Sequence, residues 1–466
     1  MKKRKRAKKD KATRRERKKL AGRKKARPAA LGNRTGRHSD GEEKPEGLTS
    51  WEYEQSISKL NFLNRAIALD PENREAVCLR GTCNMFLERY DEAIRDLDEA
   101  IRLDPDSADA FEWRGLTKHR LKRYDEALDD FNTSIRLDPH NSFAYSNRGM
   151  LKKDIHRYNE AIEDFDESIR LDPDFVPAYL ERGKIKTALA RCEEALTDLD
   201  RAAELSPEDP EIYGVRGHAK DFLGRHGEAI EDFDRALRLS PNASALYSNR
   251  GTAKHNLGLY GEAIEDFDKA LRLDPGHSLT YVNRGSSKAS LGLDEESIKD
   301  YNLAISTSPE SAEAYNNRGV ARTNIGFEKT DFAQFEEAAD DFTKAIEIDP
   351  LFLDSYRGRA AVKTALGQYE EAVNDLSLVI RLSGEQASDY LNRALAKMGL
   401  VMYEEAVEDL DTAAGLNPEL AMAYRARARA KELAGRKKEA EDDLARAVSL
   451  DPDIANADWD IFDDEP

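Results

Sequence analysis

The chain has 466 residues, 35% of them charged and 39% apolar, with a net charge of −18. Its three cysteines, Cys78, Cys83 and Cys192, provide neither a disulfide framework nor the paired spacing of a zinc site, and no stretch of about 20 apolar residues is present to span a membrane. Disulfide-scaffold, zinc-module and helical membrane classes are thereby excluded, and the thiols read as reduced packing groups of an intracellular, cytoplasmic chain.

Residues 1–27 hold 17 Lys and Arg against Asp10 and Glu16, a net charge of +15 that leaves −33 on residues 28–466. With almost no large apolar side chain this block cannot build a core, so residues 1–50 read as a disordered basic tail and linker. No apolar run follows to serve as a signal-peptide core. Lys2, Lys3, Arg4, Lys5, Arg6, Lys8 and Lys9 are candidate contacts for a polyanion, nucleic acid among them, drawn by counterion release. The same block would suit a nuclear address in a eukaryotic source. The lack of interleaved aromatics argues against base stacking; folding back on the acidic body, and plain solvation, are the other readings.

Residues 51–73 read as a partial N-terminal repeat, with a second helix at 52–71 and no partner helix upstream. A period then governs the chain: Pro71, Pro105, Pro139, Pro173, Pro207, Pro241, Pro275 and Pro309 each follow the last by 34 residues. Pro350 comes 41 residues on, and the period resumes through Gly384, Pro418 and Pro452. Eleven full repeats thus occupy 74–452, with a seven-residue insertion near 327–333. Such a period marks stacked supersecondary units rather than two or three globular domains.

In the unit 244–277, Leu246, Tyr247, Gly251, Ala253 and Leu257, then Tyr260, Ala263, Ile264, Phe267, Ala270 and Leu271, recur at three- and four-residue steps. This predicts two amphipathic helices. Gly258 provides the turn between them, and Asp274-Pro275 ends the second, because the residue before a proline leaves the helical region. Gly251 and Ala263 let the helices approach closely, while Tyr260 and Phe267 fill space between repeats.

An arginine precedes the small residue in all eleven repeats, from Arg80 to Arg427, and a lysine follows four residues later except where Asn84 and Arg322 stand. An aspartate, from Asp96 to Asp443, lies nine residues before every closing position. We expect ion pairs within or between repeats, among them Arg114 with Asp130, Arg250 with Asp266 and Arg284 with Asp300, that order the stack; planar, forked arginine suits this task. A ligand-facing arginine ladder is the alternative.

The insertion lies at the turn inside one repeat, where it forms either a loop on a binding face or lengthened helices in which Phe327 and Phe332 extend an apolar contact. Residues 453–466 form an acidic C-terminal cap or tail. Trp459 and Phe462 either cover the last helix, as solenoid ends require, or act as an acidic aromatic recognition peptide.

The small, aromatic, Ala, aromatic, Ala, Pro spacing from about Arg74 to Pro452 resembles the tetratricopeptide repeat family. The resemblance implies an all-α fold, a right-handed α-solenoid of about eleven to twelve helix-turn-helix repeats of 34 residues. It also implies that the first helices line a concave surface that binds extended peptides or helices. The chain departs from the family pattern in its arginine, where a leucine is usual, and in its lysine, where an aromatic is usual. Some members clamp a carboxylate terminus with lysine and asparagine. Ser146, Ser248 and Val282 stand where that clamp needs its lysine, so the clamp is not carried over.

The candidate lining is the asparagine just before the repeated arginine: Asn147, Asn249, Asn283, Asn317 and Asn392. An amide donates and accepts, so a file of them can grip a peptide backbone; bonding to neighbouring loops is the competing reading. No phosphate-cradling loop or nucleophile elbow appears, and the histidines fall in different phases of the repeat. These features predict a non-enzymatic scaffold without cofactor, metal or small-molecule substrate, binding a basic or amphipathic protein segment. The alternative is a nucleic-acid- or ribonucleoprotein-associated adaptor tethered through residues 1–27.

Overall fold

Each repeat of the computed structural model is written in its turns. The first helix of the unit discussed above spans Ser244–Asn256 and the second Tyr260–Leu273. At the junction Gly258 takes φ +77°, its N–H bonding to the His255 carbonyl at 2.8 Å while the Leu259 N–H reaches back to Lys254 at 2.9 Å. This left-handed closure satisfies the carbonyls that the helix end leaves open. Glycine is the residue that adopts it without strain, yet Glu88, Lys122, His156, Ala190, Thr330 and Val401 hold the same kind of positive φ at other first-helix ends.

Between repeats, the Asp274 N–H caps Ala270 at 2.8 Å and its carboxylate accepts the Gly276 N–H at 3.1 Å. The aspartate before the proline therefore does more than precede a helix breaker: it folds the link into an Asx turn. Asp104, Asp138, Asp172, Asp349 and Asp451 make the same turn, as does Asn417. Several first helices then open on a side-chain cap, such as Asn73, Ser107, Asn141 or Ser311.

The structure describes residues 49–456. Lys2 to Lys9, Trp459 and Phe462 lie outside the described residues. Within them, 23 α-helices and a short 3-10 helix at Pro452–Asn456 follow one another, consecutive helices pack together, and no strand occurs. Ile185 closes one compact unit and Lys186 opens a second. In the first, the helix Ser50–Leu69 packs Leu60 and Leu63 against Ala76, Cys83 and Leu87. In the second, pairs of the same kind continue to Lys437–Leu450.

Close approach depends on the small residue after each arginine. A Cβ on Gly251 would stand 2.8 Å from the Phe267 ring, and one on Gly217 2.8 Å from Phe233. Phe267 thus fills space inside its own repeat, and both rings are fully buried. Where alanine replaces the glycine, at Ala360, Ala394 and Ala428, the facing residue is Leu376, Leu410 or Leu444 rather than an aromatic.

The inserted residues are helical. Ala312–Lys329 and Phe332–Ile348 run 18 and 17 residues, against 13 and 14 in the unit above, and Thr330 makes the turn at φ 53°. Phe335 packs on Gly326, while Phe327 and Phe332 stay 58% and 57% exposed. Where Gly384 replaces the proline, Arg357 joins fully buried Asp389 at 2.8 Å, tying that repeat to the next.

Candidate interaction surface

The cationic stripe of the first helices turns onto the second helices. In the second unit, Arg250 sets Nε and Nη2 on the two oxygens of Asp266 at 2.8 and 2.5 Å, with Asp266 almost wholly buried. Lys254 reaches the same carboxylate at 2.9 Å. The third donor of the fork, Nη1, crosses to Asp234 on the preceding repeat's second helix at 2.5 Å. Arg284 repeats the scheme with Asp300 and Asp268, joined by Lys288. In the first unit Arg114 does so with Asp130 and Asp98, joined by Lys118.

The two sequence variants occupy the lysine's role. Asn84 donates to Asp96 at 2.9 Å, and Arg322 to Asp341 at 2.5 Å. The crossing partner varies more, being Asn132 for Arg148, Asn302 for Arg318, Thr343 for Arg359 and Ser377 for Arg393. In the last repeat, burial opposes ionisation of Asp443, but the hydrogen bonds from Arg427 and Lys431 outweigh it and hold the carboxyl below its ordinary value. Burial likewise opposes the charge on Arg250, which its two aspartates nonetheless stabilise.

Sequence reasoning missed a third element of this cluster. The aromatic three residues before the arginine lies under its guanidinium, at 5.3 Å for Phe111 under Arg114 and 5.5 Å for Tyr247 under Arg250. The signal was present as a second 34-residue period, Tyr145, Tyr179, Tyr213, Tyr247, Tyr281 and Tyr315. Guanidinium over a ring adds about 0.5–1 kcal/mol at half-exposed sites.

The asparagine file behaves unevenly. In the first unit Asn147 donates to Glu112 at 2.9 Å, a carboxylate that also receives Asn141. In the second unit Asn283 donates to Thr252 at 3.2 Å and Asn317 to Ser286 at 3.4 Å, each partner lying on the preceding first helix. Asn317 also accepts from Asn316 at 3.2 Å. Asn249, half-buried, and Asn392, exposed, make no side-chain hydrogen bond among the described residues. The amides that do bond therefore join one first helix to the next, rather than neighbouring loops.

The remaining reactive side chains are scattered. The three thiols are free, and burial, with Asp109 and Glu75 behind it, pushes Cys78 up to about 12. Among the described residues no group of His, Cys, Asp and Glu is placed to hold a metal ion, and no helix is long and apolar enough to cross a membrane.

Two family models described as tetratricopeptide repeat match the chain, one at 85–142, 215–278 and 391–454 and the other at 144–175 and 279–311. A search of curated proteins found no match. Among solved structures, the chain is similar to the APC/C hetero-tetramer Cut9-Hcn1 at 13% identity, over 87% of this chain and 94% of that one, with a TM-score of 0.45. It is similar to a tetratricopeptide repeat protein from Parabacteroides merdae at 23% identity, over 52% and 93%, with a TM-score of 0.41. A third is YrrB, described as having an unusual peptide-binding site, at 22% identity, over 40% and 95%, with a TM-score of 0.35. With the family models covering more than half of its length and the helix pairs packed in sequence, the chain belongs to the tetratricopeptide repeat family.

Proposed function

We propose that the chain is a non-enzymatic scaffold that holds a basic or amphipathic protein segment on the concave surface lined by its first helices. Tetratricopeptide repeats are generally protein-interaction scaffolds. The observation that carries the finer reading is the asparagine file within the second unit, Asn249, Asn283 and Asn317 on successive first helices. The arginines, lysines and aspartates beside them are already engaged with one another, whereas Asn249 has both donor and acceptor unused and Asn283 keeps its carbonyl oxygen unused. A peptide backbone offers N–H and C=O groups whatever its sequence, and side-chain amides complement both. The −33 charge of residues 28–466 raises the association rate of cationic segments and makes it fall with salt.

The test is the double variant N249A/N283A against an immobilised amphipathic Lys-rich peptide. Losing two hydrogen bonds of ordinary strength predicts about tenfold weaker binding, with stability lowered only by the lost Asn283–Thr252 bond, about 1 kcal/mol. Equal affinity of variant and wild type would remove the asparagines from the site. A second reading rests on the +15 charge of residues 1–27, which suits a tether to nucleic acid. Deleting those residues then abolishes salt-sensitive nucleic-acid binding while the peptide still binds; nucleic-acid binding that survives the deletion contradicts the tether.

A further inference from the structure

The first helix of the structure, Ser50–Leu69, departs from every helix pair that follows. Nine residues before Pro71, where all eleven full repeats carry an aspartate for their own arginine, stands Phe62. Among the described residues no arginine-bearing helix precedes it, and Phe62 is 70% exposed. Opposite its buried face the helix presents Trp51, Glu54, Ser58, Asn61, Phe62, Arg65 and Leu69 as one stripe, bordered by half-buried Ile57. Trp51 and Leu69, at the two ends, are 68% and 89% exposed. Glu54 and Arg65 have no charged partner among the described residues. Part of this stripe lines a groove of about 560 Å³. Three large apolar side chains left open on one stripe mark a contact surface rather than scattered surface variation.

We propose that this stripe pairs antiparallel with the same helix of a second copy. The argument is self-complementarity. An antiparallel pairing centred between Ser58 and Asn61 brings Glu54 opposite Arg65 of the second copy, Ile57 opposite Phe62, Ser58 opposite Asn61, and Trp51 opposite Ala68 and Leu69, each contact made twice by symmetry. A parallel pairing would set Glu54 on Glu54 and Arg65 on Arg65. It would also bring together two segments 1–27, each of charge +15. The antiparallel arrangement holds these chain entries at opposite ends of a 20-residue helix, about 30 Å apart, several Debye lengths at physiological salt.

The other candidate occupants fit less well. Residues 1–48 contain only Met1, Leu20, Leu31 and Leu48 as large apolar residues, too few and too widely spaced to cover Trp51, Phe62 and Leu69 together. A single helix pair lies at the small end of specific interfaces, about 1,200 Å² or less in total, so the association is weak, with a dissociation constant on the order of micromolar.

Sedimentation velocity on the full chain tests this. The wild type shifts from monomer to dimer as concentration rises through the micromolar range. F62D, an exposed position whose change leaves the circular dichroism spectrum and unfolding midpoint in place, raises the dissociation constant roughly 100-fold. E54R and R65E each weaken the dimer, and E54R/R65E restores it. Four results overturn the proposal: a wild type that stays monomeric to about 100 μM, a dimer indifferent to F62D, a double charge swap no better than its singles, or a dimer that appears only after residues 1–48 are removed. Loss of association on deleting residues 457–466 would assign the groove to the acidic terminus of another copy, and would overturn it as well.

Discussion

Arg250 holds four groups at once: both oxygens of Asp266, the carboxylate of Asp234 one repeat back, and the ring of Tyr247. Only a planar fork with several donors in fixed directions can do this, which is the physical reason that lysine never replaces it in eleven repeats. The bond to Asp266 was legible from spacing alone, because both residues recur without exception. The bond to Asp234 was not, since Asn, Thr or Ser takes that place in other repeats and the position reads as an ordinary solvated face. The ring contact was hidden because Tyr247 also satisfies the apolar period.

Asp443 gives this network a measurable pH dependence. The folded chain keeps its carboxyl ionised to lower pH than the unfolded chain does, so below the ordinary value of 3.8 the unfolded chain binds the extra proton. Stability from this pair is therefore complete above that value and lost as pH falls through the lower folded value. K431M, which removes one of the two donors, should raise the pH of acid unfolding of the last repeat, measured by hydrogen exchange over Lys437–Leu450. An acid transition unmoved by K431M would show that the carboxyl owes nothing to Lys431.

At the scale of the element, glycine and aromatic trade size across the helix pair. Aromatics at the second-helix position face only glycines, and the alanines face only leucines. The pairing could be read from the sequence once the phase was known. The turn between the helices could not be read so simply, because six first helices close with a non-glycine residue at positive φ. Val401, at φ 63°, is with Thr330 one of the two β-branched residues among these, the type for which a positive φ is most costly. Its side chain is 67% exposed, so little packing opposes a change. V401G should stabilise the chain by about 1 kcal/mol in urea unfolding; a loss of stability would mean that Val401 contributes packing beyond the turn.

For the molecule as a whole, the 34-residue period carried nearly all of the fold, since each repeat supports its neighbours and one register error would break the series. It carried little of the site. A period reports what every repeat shares, and shared residues here are those that hold helix to helix. Asparagines present in some repeats, the lengthened hairpin and the phenylalanine at the aspartate position of the first helix are departures, and the packing of the folded chain decides which of them are committed to neighbours and which face outward.

The division of labour between uniform and irregular residues is tested most directly by comparing R250M with N249A/N283A in the same two assays, urea unfolding and binding of the Lys-rich peptide. R250M leaves Asp266 buried with Lys254 alone and should cost about 2–4 kcal/mol, whereas the asparagine variant should lose about 1 kcal/mol or less, from the Asn283–Thr252 bond, and lose affinity. If R250M instead keeps the wild-type unfolding curve and abolishes binding, the arginine ladder is the ligand surface and the account is wrong.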